Sequence, residues 1–98
     1  MDNYEGILNV VFEAIREYNS QESESKLAPA RETPLIGGNA KFDSVAAVVF
    51  GSILEEHLER RFGQTISVLD IFGSNGSEDL DIGGLTAHIA RKMGRAVA

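Results

Sequence analysis

The sequence predicts an all-α fold, a four-helix bundle of three main helices and one short one, with a long loop between the first two. Three observations predict it. Apolar residues recur at three- and four-residue spacing over residues 4–19. A long apolar run over 45–62 turns amphipathic without a break, and Leu85, Ile89 and Met93 are spaced by four near the end. The 98 residues make one domain, large enough for a modest core without disulfide or metal staples. No internal repeat is visible.

In the first helix Tyr4, Ile7, Leu8, Val11, Ile15 and Tyr18 mark the inner face, with Glu5, Glu13, Arg16 and Glu17 toward water. Asp2 or Asn3 suits the cap at its start. Residues 20–41 change character. Ser20-Gln21-Glu22-Ser23-Glu24-Ser25 is polar, Pro29 and Pro34 break helices, and Gly37-Gly38 frees the backbone. So long a connection in a compact domain is functional or flexible. Leu35 and Ile36, adjacent apolar residues in a polar loop, are its expected anchors.

The second helix is expected over 45–62 with Asp43 as its N-cap. Val45, Ala46, Ala47, Val48, Val49 and Phe50 are apolar nearly all round. Ile53, Leu54, Leu58 and Phe62 then point inward, and Glu55, Glu56, Glu59 and Arg60 outward. The β-branched run lowers helix propensity, so a short strand over 45–50 competes; continuation into Leu54-Glu55-Glu56-His57-Leu58 favours helix. Gly63 sits where a helix-ending glycine belongs. Ile66, Val68, Leu69, Ile71 and Phe72 form a compact apolar patch, read as a single-turn or irregular helix. Gly73-Ser74-Asn75-Gly76-Ser77 reads as a turn. Asp81 caps the last helix, whose first turn Gly83 and Gly84 weaken. Residues 94–98 form a short basic tail.

Fifteen acidic residues against nine Lys and Arg give a formal charge of −6. That balance disfavours nucleic acid and anionic membranes and favours partners with basic surfaces. The longest apolar run, 45–50, is far too short to cross a bilayer, so no membrane insertion is expected. Met1-Asp2-Asn3-Tyr4-Glu5 lacks the basic start and apolar stretch of a signal peptide, and a cytoplasmic monomer is the expectation. The absence of cysteine excludes disulfides, thiolate metal sites and a cysteine nucleophile.

Several chemistries fail on spacing. Residues 70–81 have the length of a calcium loop, but Phe72 stands at a ligand position and Asn75 replaces the turn glycine. No phosphate-loop motif is present, and Ser52 and Ser77 lack the spacing of a nucleophile elbow. His57 and His88, on separate expected helices, lack a recognisable third metal ligand. No metal site and no catalysis by the chain alone are expected.

The sharpest feature is Asp43-Ser44-Val45, a hydroxyl where a polar stretch becomes a long apolar helix. A phosphoryl group on Ser44 would meet the N–H groups and positive dipole end of that helix. Phe42-Asp43-Ser44-Val45 is followed by Leu54-Glu55-Glu56, then Phe62-Gly63-Gln64-Thr65-Ile66, then Leu80-Asp81-Ile82-Gly83-Gly84-Leu85 running into Ile89. In this order the residues resemble the acyl carrier proteins and the related peptidyl carrier domains, across the chain to about Met93.

The resemblance implies an acyl-carrier-protein-like four-helix bundle modified on Ser44 with 4′-phosphopantetheine from coenzyme A. The attached thiol would carry acyl intermediates as thioesters. A phosphopantetheinyl transferase would be one partner. The others would be acyl ligases, acyltransferases or synthases of fatty-acid, lipid or polyketide-type biosynthesis. Asp43 would position Ser44, Val45 and Ala46 would form an apolar rim beside the arm, and Ala46, Glu55, Glu56 and Glu59 would dock partners. Val48, Val49, Ile53, Ile66 and Leu69 would line the space for an acyl chain, or simply pack the core.

This chain departs from the family pattern in places. Val45 replaces the commoner leucine or methionine, and Ala46, Ala47 and Val48 stand where familiar carriers present acids. Both changes suit a specialised stand-alone carrier. An aminoacyl or peptidyl carrier, and an unmodified helical interaction module of the same fold, remain the alternatives.

Overall fold

The structure, a computed structural model, describes residues 3–21, 27–36, 44–74 and 79–93. Asp43, Phe42, Lys41, Asp2, the Gly37-Gly38 pair, most of the polar 20–26 stretch and the 94–98 tail lie outside the described residues. Four helices and a two-stranded sheet follow in the order α1 (Asn3–Gln21), β1 (Pro34–Ile36), α2 (Ser44–Phe62), α3 (Val68–Ser74), β2 (Leu80–Asp81) and α4 (Ile82–Met93). The helical expectation holds, and helix rather than strand occupies 45–50.

The small sheet corrects the all-α expectation. Leu35 and Ile36, expected only as loop anchors, belong to a strand that pairs antiparallel with Leu80-Asp81, in an irregular register of Pro34 with Asp81 and Ile36 with Leu80. Leu35 is buried, as an anchor should be.

One apolar core joins the helices. From α1 it takes Ile7, Leu8, Val11, Ile15 and Tyr18, from α2 Phe50, Leu54 and Leu58, from α3 Val68 and Ile71, and from α4 Ile82, Leu85 and Ile89. Tyr18 meets Phe50 edge to face, with centroids 5.7 Å apart and rings at 77°. Along the flank of α1 and α2, Glu17 Oε1 lies 2.7 Å from His57 Nε2 and Glu13 Oε2 lies 3.9 Å from Arg61 Nη1. The partner number falls by four as the other rises by four, so these two helices run antiparallel.

Gly63 ends α2 with φ +70°, the left-handed conformation that glycine adopts without steric cost. Its N–H donates to the carbonyl of Glu59 at 2.8 Å, which is the single-bond left-handed helix cap.

The segment before β1 is tied down at both ends. Asn19 donates from Nδ2 to the Leu27 carbonyl at 2.7 Å and accepts from the Leu27 N–H at 2.8 Å. Arg31 pairs with Glu5 at 2.9 Å and lies over the Tyr4 ring, 5.6 Å from its centroid.

This same segment explains how α4 starts on two glycines. The Ile82 N–H donates to the Thr33 carbonyl at 3.0 Å, and the Gly83 N–H to the Arg31 carbonyl at 2.9 Å. The Gly84 N–H donates to Asp81 Oδ1 at 2.8 Å, the cap expected from sequence. Three N–H groups that a helix start leaves without intrahelical partners are thereby satisfied. A β-carbon on Gly83 would stand 3.3 Å from the Tyr4 hydroxyl and 3.5 Å from the Arg31 carbonyl, so the loop approaches closely there and a side chain would need the tyrosine to shift slightly. No described helix is long and apolar enough to cross a membrane.

Candidate functional site

Ser44 is the first residue of α2, and its first turn contains no acidic residue. An anionic group linked at this position would stand at the positive end of a 19-residue helix with no carboxylate from that turn against it. The Asp43 role lies outside the described residues.

The phase of α2 sorts the expected site residues. Val45 is 70% exposed, as a rim beside Ser44 needs. Ala46 is only 6% exposed, which corrects its assignment to the rim and to partner docking. It faces the core on the stripe that continues through Phe50 and Leu54, so its methyl is unavailable to a partner.

Glu55, half-buried, is already engaged within the fold. Its Oε2 accepts the N–H of Val68 at 2.8 Å, so the carboxylate holds the first N–H of α3. Glu56 and Glu59 do point to solvent, with Glu56 at 3.7 Å from Arg60 one turn on.

The five residues expected to line an acyl space divide. Ile53 and Ile66 are core, Val49 is half-buried, and Val48 and Leu69 are 50% and 38% exposed. Leu69 reaches the surface because α3 lies against α2 at Gly51. A β-carbon on Gly51 would stand 3.2 Å from Leu69 Cδ2 and 3.7 Å from Val68 Cγ1. Among the described residues Val45, Val48 and Leu69 are the exposed large apolar side chains. The approach of Leu69 to Gly51 is not legible in the sequence. A glycine inside an otherwise strong helix, followed later by a short apolar patch, was the available signal.

The histidines make separate local contacts. His57 stands on the core-facing flank of α2, paired with Glu17, and thirteen residues of helix from Ser44 amount to about 20 Å of rise. That separation removes His57 as a base for Ser44. His88 on α4 accepts at Nδ1 from Arg91 Nη2 at 3.1 Å. Burial, then the charges of Arg91 and Lys92, hold its imidazole below the ordinary value of 6.5. Among the described residues no three His, Asp or Glu side chains come together as a metal site. Comparison with protein-family models, with curated proteins and with solved structures finds no match for this chain.

Proposed function

We propose that this chain is a carrier protein of the acyl carrier type, bearing 4′-phosphopantetheine on Ser44 and presenting thioester-linked intermediates to partner enzymes. The observation that carries the reading is the position of Ser44 at the head of α2, beside the exposed Val45 and with no acid in the first turn. A phosphodiester is favoured at such a helix start. The chain has no cysteine, and the arm, when attached, supplies the thiol that the chain lacks. The order of helices and the short α3 fit the same reading.

A non-enzymatic role is part of this proposal. In this reading Ser44 serves as an attachment point and its partners do the chemistry, which is consistent with His57 lying too far along α2 to activate it. Partners are a phosphopantetheinyl transferase and the ligases, acyltransferases or synthases that load and use the cargo. An unmodified interaction module is the second reading, favoured by the exposed Val45, Val48 and Leu69.

The test is incubation with coenzyme A, magnesium and a broad-specificity phosphopantetheinyl transferase, followed by intact mass and peptide mapping. The expected result is one phosphopantetheinyl increment on Ser44 and none on the Ser44→Ala protein. An unmodified, folded wild-type chain beside an active transferase would leave the interaction module.

A further inference from the structure

The segment 27–36 lies across the starts of α1 and α4 as a strap, and little of it is buried. Leu27 and Leu35 are core residues near its two ends, whereas Ala28, Pro29, Arg31, Glu32 and Pro34 between them are exposed. The strap is braced within itself. The Thr33 N–H donates to the Ala30 carbonyl at 3.2 Å, and the Thr33 hydroxyl to the Ala28 carbonyl at 2.7 Å. Arg31 closes a circuit of contacts at its middle. The guanidinium pairs with Glu5 and lies over the Tyr4 ring, and the Arg31 carbonyl accepts the Gly83 N–H. The Tyr4 hydroxyl donates in turn to the Gly83 carbonyl at 3.4 Å. The first turn of α4 depends on this circuit. Gly83 and Gly84 are poor helix formers, and the Ile82 and Gly83 N–H groups have strap carbonyls as their acceptors.

We propose that the strap and the first turn of α4, residues 27–36 and 80–84, open together as one unit fastened by Arg31, while α1, α2 and the rest of α4 stay folded. Opening uncovers chiefly Leu27, Leu35 and Leu80, and the contacts it breaks are those of the strap, β2 and the two helix starts. The Tyr18–Phe50 contact and the α1–α2 ion pairs take no part. An opening of that size costs less than global unfolding and is populated more often. Loss of the strap's acceptors leaves two glycines to hold a helix start, so the turn follows the strap and α4 then begins near Leu85. The fastener responds to salt. Arg31 and Glu5 are each about half exposed, so dissolved ions screen their attraction, whereas the backbone bonds persist. The device is a latch at the start of α4 that loosens as ionic strength rises. It stands on the strap's own contacts and holds whether or not Ser44 is modified.

The test is amide hydrogen exchange on the full chain, followed residue by residue by NMR at neutral pH. In the wild type at low urea, Ile82 and Gly83 should exchange through a common opening, with a weaker urea dependence than Ile15 or Leu54 shows. Arg31→Ala, at an exposed position, should quicken Ile82 and Gly83 by about threefold or more beyond any change at Ile15 and Leu54. Asn19→Ala separates a unit from a set of local contacts. Among the described residues Asn19 bonds to Leu27 and to nothing in α4. A strap that opens as one passes the loss on, so Ile82 and Gly83 should again quicken by about threefold or more. High salt should quicken both amides in the wild type and do less in Arg31→Ala, which has no ion pair to screen. Unchanged exchange of Ile82 and Gly83 in either variant, or equal quickening of every protected amide, would overturn the proposal. So would equal urea dependence of these amides and Leu54 in the wild type, a measurement that needs no variant to fold. A salt response of the same size in wild type and Arg31→Ala would overturn it too, since Arg31 would not be the fastener.

Discussion

Glu55 of α2 accepts the first backbone N–H of α3, with Val68 N and Glu55 Oε2 2.8 Å apart. This bond and the approach of Leu69 to Gly51 fasten a seven-residue helix to its neighbour. So short a helix has little stability of its own and takes its position from such contacts. Removing the carboxylate should therefore loosen α3 specifically. Glu55→Ala is expected to cost about 1–2 kcal/mol by urea unfolding, the scale of a charge-assisted hydrogen bond at a half-buried site. Glu55→Gln, which keeps an acceptor oxygen, should cost less. Amide exchange at Val68 should quicken in Glu55→Ala, while exchange in the middle of α1 follows global stability alone. Unchanged Val68 exchange would show that the bond does not hold α3.

Two glycines should respond to alanine with opposite sign. Gly6 lies inside α1 with nothing within 4 Å of where a β-carbon would stand, so it contributes only backbone freedom to the unfolded chain. Gly6→Ala should stabilise by about 0.5–1 kcal/mol. Gly63 also has open space around it, but its φ of +70° disfavours any L side chain. Gly63→Ala should destabilise by about 1 kcal/mol. The pair separates conformation from packing, because neither site offers a steric clash. Chemical denaturation of both variants reads the difference directly.

The long elements were legible because their signals are local. The apolar spacing of α1 and α4, the helix-ending Gly63 and the cap from Asp81 each follow from neighbouring residues. The two-stranded sheet was not legible. Strands of three and two residues are too short to show a period, and their pairing joins segments over forty residues apart. The orientation of the start of α2 was hidden for another reason. Six successive apolar residues leave its phase open, and only packing against the core turns Ala46 inward and Val45 and Val48 outward. Glu55 and Glu56 show the limit most plainly. They are the same residue type side by side, yet α3 takes one as a cap and leaves the other to solvent.

Asn19 should matter more than a polar residue near a helix end ordinarily does. Its amide donates to and accepts from the backbone of Leu27 at 2.7 and 2.8 Å, replacing the pairing that a strand would give. Leu27 is itself buried, so its N–H and carbonyl gain little from water if the amide is lost. Asn19→Ala is expected to cost about 1–3 kcal/mol. Asn19→Asp keeps the acceptor but sets a carboxylate oxygen toward the Leu27 carbonyl, so it should recover only part of the loss, and less as the carboxylate ionises. Urea unfolding of the three proteins at neutral pH ranks them. Equal stability of wild type and Asn19→Ala would remove this clamp from the account of the loop.

His88 predicts a pH dependence whose sign is fixed by its neighbours. Burial of the ring, followed by the charges of Arg91 and Lys92, holds its pKa in the folded chain below the ordinary 6.5. In the unfolded chain those constraints relax, so as pH falls the unfolded state takes up the proton first. The contribution of His88 to stability is complete above about 6.5, declines as pH falls through that value, and levels off below the folded pKa. Protonation also ends the acceptance of the Arg91 N–H at Nδ1, since both ring nitrogens of an imidazolium are donors. His88→Gln carries no such titration, and the two proteins differ nowhere else. Subtracting the urea stabilities of variant and wild type between pH 8 and pH 5 therefore isolates the histidine. The wild type should lose stability relative to His88→Gln as the solution is acidified. Parallel curves over that range would mean that the basic end of α4 leaves His88 unperturbed.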